Sequence, residues 1–198
     1  VWGYHLVNLL IHVLAGCTLF GIVRRTLERP LCRSLFTGDS GRAPSSGGAK
    51  SPVNRLLPPD TFLLALAVAL LWTLHPLQTQ AVTYIVQRAE SLVSLMYLLT
   101  LWCFVRSVES EAPRKWQVLS WIACLLGMGS KEVMVSAPLM VALYDRVFVT
   151  GSWREAWRQR SYFHLALLST WLWLAWLVIG TAERGGTAGF GQSCESMV

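Results

Sequence analysis

One polar stretch, His75-Pro-Leu-Gln-Thr-Gln-Ala-Val-Thr-Tyr-Ile-Val-Gln-Arg-Ala-Glu90, separates two strongly apolar runs of the chain. It places a histidine, amide side chains, an arginine and a glutamate in a region otherwise built from Leu, Val and Ala. Polar groups close to hydrocarbon are costly to desolvate, so their presence needs a reason. We therefore expect this stretch to line a polar site at the edge of a membrane.

The composition of the whole chain points to lipid as its main solvent. Of the 198 residues, 54% are hydrophobic and 14% are charged, whereas a soluble domain has about 25% charged residues. Most of the Lys and Arg side chains lie in residues 24–55, 106–115 and 146–160. Such clustering in alternate connections is typical of the cytoplasmic loops of a membrane protein and not of a nucleic-acid-binding surface. We expect membrane lipids around the chain and no nucleic-acid partner.

Apolar runs long enough to enter a membrane follow one another along the chain. A helix that crosses a hydrocarbon core of about 30 Å needs roughly 20 residues. The predicted fold class is all-α, a multi-pass integral membrane helical bundle of about six spans, some of them short. The predicted spans are Trp2–Val23, Thr61–Leu74, Ser91–Val105, two within Trp116–Val149, and Ser161–Gly180.

Changes in composition divide the chain into four parts. Residues 1–23 are predicted to form a membrane helix, and residues 24–60, rich in Arg, Ser, Gly and Pro, a flexible basic cytoplasmic loop. Residues 61–180 are predicted to form the helical membrane core. Residues 181–198 are predicted to be an extracytoplasmic, Gly-rich tail.

Two polar segments of the core, residues 75–90 and 130–132, are predicted to lie on the extracytoplasmic side. The second segment, Ser-Lys-Glu, separates two apolar runs that are too short for two full spans. Gly127 and Gly129 precede it and Pro138 follows it, a pattern typical of a broken or sharply turned helix pair. The charges of this segment should then lie below the membrane surface.

The first predicted helix carries a polar stripe on one face. His5, Asn8 and His12 recur at helical spacing, and Gly16 continues the same face. The stripe is either a surface for close packing against a neighbouring helix or a face turned toward a ligand. The sequence leaves both interpretations open.

The predicted topology brings five polar residues to one side of the membrane: His75, Arg88, Glu90, Lys131 and Glu132. One interpretation is that the two cations and the carboxylates form ion pairs, which make buried charges tolerable. Alternatively, Arg88 and Lys131 bind a phosphate, Arg88 through its planar fork and Lys131 as a point charge. His75, Glu90 and Glu132 would then be polar residues lining the cavity, with a carboxylate able to orient an acceptor hydroxyl.

Several classes of site are not indicated by the sequence. The chain has no Walker loop, no GxSxG elbow and no HExxH motif, which argues against a P-loop NTPase, a serine hydrolase and a zinc protease. Its cysteines show no CxxC pair or metal-ligand spacing, so neither a disulfide framework nor a metal site is predicted. The five cysteines are Cys17, Cys32, Cys103, Cys124 and Cys194.

Four segments together resemble a known family of membrane proteins. They are the opening Trp2–His12, the stretch His75–Glu90, Ser130-Lys-Glu132 and Leu143-Tyr-Asp-Arg146. Their combination is similar to the membrane region of the transmembrane TPR-repeat O-mannosyltransferases and their bacterial relatives, in which an HP-x-x-T-x-x-V and R-A-[ED] segment precedes a later K-E.

The resemblance implies a GT-C type membrane glycosyltransferase. Its donor substrate would be a polyprenyl-phosphate-linked sugar, its acceptor a protein hydroxyl, and its C-terminal TPR helices would present the acceptor; no further cofactor is implied. His75, Arg88, Glu90, Lys131 and Glu132 match the family's motif residues. The resemblance favours the bacterial inner membrane over the endoplasmic reticulum.

The catalytic residue itself is expected outside this chain. In the family an acidic residue of the first extracytoplasmic loop is usually assigned as catalytic, and it should lie upstream of Val1. The chain is thus expected to be a fragment of an enzyme and inactive alone. A non-catalytic TPR-bearing membrane protein and a transporter are the alternatives.

Overall fold

The structure is a computed structural model that describes residues 2–29, 57–75 and 88–182. Within these ranges the chain forms helices and no β-strand. The α-helices are α1 (Trp2–Leu27), α2 (Leu57–Thr73), α3 (Arg88–Glu109), α4 (Pro113–Met128), α5 (Ala137–Tyr144) and α6 (Trp153–Ala182). A 3-10 helix, Glu132–Ser136, lies between α4 and α5, and a π-helical turn, Asp145–Thr150, lies between α5 and α6.

Helices α1 and α2 pack against each other in antiparallel directions. His12 Nε2 lies 3.0 Å from the carbonyl oxygen of Thr73, and further along the pair Phe20 meets Phe62 edge to face, with ring centroids 5.4 Å apart. Gly16 allows this approach, because a Cβ at that position would lie 2.4 Å from the Thr73 methyl group. The small residue thus sets the distance between the two helices.

Helix α3 lies between α1 and α4. It runs parallel to α1 and antiparallel to α4, so Thr100 lies opposite Ser120, whose hydroxyl donates a hydrogen bond of 2.8 Å to the Thr100 carbonyl oxygen. At one end of the α3–α4 pair, the Arg106 guanidinium lies 4.9 Å from the centroid of the Trp116 ring. Pro113 begins α4, where its missing N–H removes no helical hydrogen bond.

The chain reverses direction between α4 and α5, and the side chain of Met134 fills the space inside this turn. This side chain is fully buried and lies where a side chain on Gly127 would be, since a Cβ there would meet Met134 atoms at 2.8 Å. The predicted sharp turn between two short helices is confirmed. The core that α3, α4, α5 and α6 share consists of Phe104, Val105, Cys124, Met128, Met134, Ala137, Val141, Tyr144, Phe163 and Leu167.

The described helices fit a membrane by length and composition. Four segments are long and apolar enough to cross it, namely His5–Leu27, Glu90–Glu109, Val133–Thr150 and Trp153–Gly180. The apolar helix Thr61–Thr73 is shorter. Large apolar side chains point outward from the bundle, for example Leu71, which is 73% exposed, and Leu172, which is 75% exposed. The predicted all-α membrane bundle is confirmed.

The ends of the helices differ in places from the predicted spans. Helix α1 continues past Val23 to Leu27, and α3 begins at Arg88, before the predicted Ser91. The last helix begins at Trp153, before the predicted Ser161, although Arg160 within it has non-helical dihedral angles (φ −135°, ψ 30°). Most of the predicted cytoplasmic loop and all of the predicted tail after Ala182 lie outside the described residues.

Candidate functional site

The structure brings two of the predicted site residues into direct contact. Lys131 Nζ donates a hydrogen bond of 2.5 Å to Glu90 Oε1. The two side chains are 41% and 51% exposed, respectively. Glu90 lies in the first turn of α3 and Lys131 in the turn after α4, so the ion pair joins these two helices at one end of the bundle. We call this end the Lys131 end.

The turn after α4 fixes the backbone of Lys131. The N–H groups of Ser130 and Lys131 both donate to the carbonyl oxygen of Gly127, at 3.0 and 3.2 Å. Lys131 itself is extended (φ −159°, ψ 147°), and a 3-10 helix begins at the next residue. These hydrogen bonds satisfy the carbonyl oxygen of Gly127 near the end of α4 and hold the backbone of Lys131 in a defined position.

The other predicted site residues are described less fully. Arg88 is the first residue of α3 and Glu132 the first of the 3-10 helix, but their side chains lie outside what the structure describes. His75 is exposed and follows the end of α2. Residues 76–87, the middle of the polar stretch, are also outside the described ranges. The assignment of a phosphate to Arg88 and Lys131 stays a prediction.

An apolar groove of about 290 Å³ lies next to the ion pair. Val93 lines it from α3, in the turn that follows Glu90, and Val133 lines it two residues after Lys131. Trp72 closes it from α2. The groove is therefore the place where a hydrocarbon chain would lie if its polar end met Lys131.

The ion pair of Lys131 with Glu90 is only weakly stabilising. An ion pair between such exposed side chains contributes about 0–1 kcal/mol to stability. A phosphodiester, which like a carboxylate carries one negative charge, can replace Glu90 as the partner of Lys131, because little stabilisation is lost in the exchange. The geometry thus allows both interpretations from the sequence, an ion pair in the free protein and a phosphate site in the loaded one.

The polar stripe of α1 is a packing surface. The His12 ring is stacked on Trp72 at 5.4 Å and its Nε2 lies 3.0 Å from the Thr73 carbonyl oxygen. Asn8 is 2% exposed, and Gly16 lies against Thr73. The first of the two interpretations, close helix packing, is confirmed for this face.

Sequence reasoning missed a buried polar cluster at the other end of the bundle. Asp145 is fully buried; its Oδ1 accepts a hydrogen bond of 3.1 Å from Arg160 and its Oδ2 lies 3.0 Å from His164 Nε2. The sequence shows only that Arg160 and His164 are four residues apart, and this spacing does not indicate that Asp145 lies against them. In the sequence, Asp145 stands out only as part of the Leu143–Arg146 segment that carries the family resemblance.

The chain is similar to protein O-mannosyl-transferases. It is 36% identical to Tmtc3 of Drosophila melanogaster over 150 residues, which cover 73% of this chain and 15% of that protein. It is 30% identical to Tmtc2 of Drosophila melanogaster over 149 residues, 73% of this chain and 12% of the relative. The Xenopus laevis protein tmtc2 is 30% identical over 155 residues, 75% of this chain and 14% of the relative.

The matched region is a small part of each relative. The chain spans only 12% to 15% of the length of these three proteins. No family profile matches the chain, and no solved structure matches it.

Proposed function

Since the chain belongs to the family of protein O-mannosyl-transferases that includes Tmtc3 and Tmtc2, we propose that it is part of the membrane region of a glycosyltransferase. The proposed reaction moves a sugar from a polyprenyl-phosphate donor to a protein hydroxyl. Besides family membership, one structural observation supports the proposal: Lys131 is half-exposed at the end of the bundle and lies next to an apolar groove.

The proposed donor comes from the family resemblance, and the chemistry of that end of the bundle supports it. A polyprenyl-phosphate sugar has an anionic head and a hydrocarbon tail, and it would enter sideways from the bilayer. Lys131 is a cation that can leave Glu90 and bind the phosphate instead. The groove lined by Trp72, Val93 and Val133 is apolar enough to hold the first part of the hydrocarbon tail. Arg88, at the start of the same helix as Glu90, is proposed as the second phosphate ligand.

The remaining parts of the reaction are proposed to lie elsewhere in the full-length protein. A GT-C type fold, a carboxylate that activates the acceptor hydroxyl and TPR helices that present the acceptor protein all belong to this proposal. The chain's own contribution is to bind and orient the donor phosphate. His75, Glu90 and Glu132 are proposed to line the same polar space.

The membrane is proposed to be that of the endoplasmic reticulum. The sequence-based prediction favoured the bacterial inner membrane, but the three relatives are proteins of animals. They support the endoplasmic reticulum instead.

A transfer assay with the full-length protein tests the proposal. The purified protein is incubated with an acceptor protein and with labelled mannose on either a polyprenyl phosphate or a nucleotide. We expect label on the acceptor from the lipid-linked donor alone. Transfer from the nucleotide alone would show that the donor is wrong, and no transfer from either would favour the non-catalytic membrane protein. Movement of a solute across vesicles without transfer would favour the transporter.

A further inference from the structure

A second cavity, of about 730 Å³, lies between α1 and α3 at the end of the bundle opposite Lys131. We call this the arginine-rich end, because Arg24, Arg25 and Arg29 line the cavity there. Its wall continues along α1 to Phe20 and Cys17. From Cys17 to Arg25 a helix rises about 12 Å, so the cavity reaches from the end of a predicted span into the apolar part of the bundle.

Two of these arginines are held against aromatic rings. The Arg25 guanidinium lies 4.8 Å from the centroid of the Trp102 ring and also donates a hydrogen bond to Glu109. Gly21 makes room for that ring, since a Cβ there would lie 2.5 Å from it. The Arg29 guanidinium lies 5.6 Å from the centroid of the Tyr144 ring. A cation–π contact engages the face of a guanidinium group, so it does not use the N–H groups that bind an anion.

Arg29 has hydrogen-bond donors left over. Its side chain is only 10% exposed, and the contact of its Nη2 with Glu109 Oε1 is 3.6 Å, too long for a hydrogen bond. Among the described residues, buried Nε and Nη2 of Arg29 have no hydrogen-bond partner. A buried charged donor without an acceptor is costly, which is the condition that a bound anion would relieve.

The charges around the cavity favour an anion over a cation. Arg24 is already paired with Glu28 at 3.0 Å, and Arg25 with Glu109. Arg29 shares Glu109 with Arg25, at the longer distance of 3.6 Å, so three arginines face two carboxylates. The planar guanidinium of Arg29 can therefore bind two oxygens of a phosphate.

We propose that this cavity binds the phosphate group of an anionic lipid, with the headgroup at Arg29 and the upper part of the lipid tails along Phe20 and Cys17. A lipid fits better than a soluble phosphate because the cavity continues into the apolar part of the bundle. The predicted topology puts the arginine-rich end at the cytoplasmic leaflet, whose anionic lipids attract basic segments. The site is separate from the proposed donor site and does not depend on it.

Lipid titration of the purified full-length protein tests the proposal. The protein in detergent is titrated with phosphatidylserine or phosphatidylcholine, and bound lipid is counted by native mass spectrometry. We expect phosphatidylserine to bind more tightly than phosphatidylcholine, and Arg29→Gln to weaken phosphatidylserine binding by about tenfold or more, the size expected for a lost hydrogen bond to a charged group. Inorganic phosphate at the same concentration should not displace the lipid; full displacement would assign the site to a soluble phosphate and overturn the lipid.

Two further variants separate a built site from general surface charge. Arg158→Gln removes one positive charge from a side chain that is 81% exposed and does not line the cavity, and it should leave phosphatidylserine binding unchanged. An equal loss in Arg158→Gln and Arg29→Gln, or no loss in either, overturns the proposal. Glu109→Gln should tighten binding severalfold, because it frees the N–H groups that Glu109 now engages; weaker binding would contradict the role given to Arg29.

The proposal remains testable if Arg29→Gln does not fold. Arg29→Lys keeps the positive charge and loses the planar fork. We expect it to elute as the parent protein does and to bind phosphatidylserine severalfold more weakly. Unchanged binding by Arg29→Lys would show that charge alone attracts the lipid and would overturn the site.

Discussion

Lys131 Nζ lies 2.5 Å from Glu90 Oε1, and this hydrogen bond joins residues 41 positions apart in the chain. It connects the turn after α4 to the first turn of α3 at the Lys131 end. Both side chains are substantially exposed, so the pair adds little to stability and its importance lies in where it holds the lysine. The proposed phosphate site is built on this relationship.

Removing the carboxylate of the pair should leave the fold intact. For Glu90→Gln we expect a change of less than about 1 kcal/mol in the free energy of unfolding, since the pair is exposed. In the full-length protein the KM for the lipid-linked donor should fall or stay the same, because Lys131 no longer has a competing carboxylate. Detergent-based unfolding and donor titration measure the two quantities. A large rise in KM would show that Glu90 itself contacts the donor.

The buried carboxylate Asp145 should matter far more for stability. For Asp145→Ala we expect a loss of about 3 kcal/mol or more, because Arg160 and His164 lose the partner that compensates their burial. Chemical unfolding in detergent, followed by circular dichroism, measures it. Glu155→Gln is the matched control, as Glu155 pairs with the exposed Arg158 at 3.6 Å, and its effect should stay within about 0.5 kcal/mol. Equal effects of the two variants would contradict the assignment.

The contact of α1 with α2 should be sensitive to a single methyl group. In Gly16→Ala the new Cβ would lie 2.4 Å from Cγ2 of Thr73, and we expect a loss of about 1–3 kcal/mol from overpacking. Thr73→Ser removes that methyl group and keeps the hydroxyl, so the double variant should recover much of the loss. Gly180→Ala, where nothing lies within 4 Å, should be neutral or slightly stabilising. Thermal unfolding of the four variants tests the contact.

The topology can be tested by labelling from one side. In a variant without its native cysteines, Ser130→Cys lies in the turn before Lys131 and Ser110→Cys lies between α3 and α4. An impermeant maleimide added to the extracytoplasmic side should label Ser130→Cys and not Ser110→Cys, because the basic connections are expected in the cytoplasm. The opposite labelling pattern would invert the predicted topology.

The fold class and the turn before Lys131 could be predicted from the sequence, for physical reasons. Uniform apolar runs such as Thr61–Thr73 leave few structures possible in lipid other than helices. Gly127 and Pro138 similarly indicated the turn in which Lys131 lies. These features are local, so a single sequence carries them.

The partners of the helices could not be predicted in the same way. Gly16 is one of several small residues in α1, and only the packing of α2 shows that Thr73 lies against it. The cluster of Asp145 with Arg160 and His164 depends on the antiparallel packing of α5 and α6, which no local pattern specifies. Long-range contacts of this kind need the three-dimensional arrangement.

The most direct test of the proposed donor site is the donor dependence of sugar transfer by Lys131→Ala in the full-length protein. The control is Lys115→Ala, which removes an exposed lysine in the first turn of α4, the opposite end of that helix from Lys131. Because Lys131 is proposed to bind the donor phosphate, kcat/KM for the lipid-linked donor should fall at least about tenfold in Lys131→Ala. Lys115→Ala should transfer at the parent rate, and both proteins should insert normally. Unchanged kcat/KM in Lys131→Ala would contradict the phosphate site.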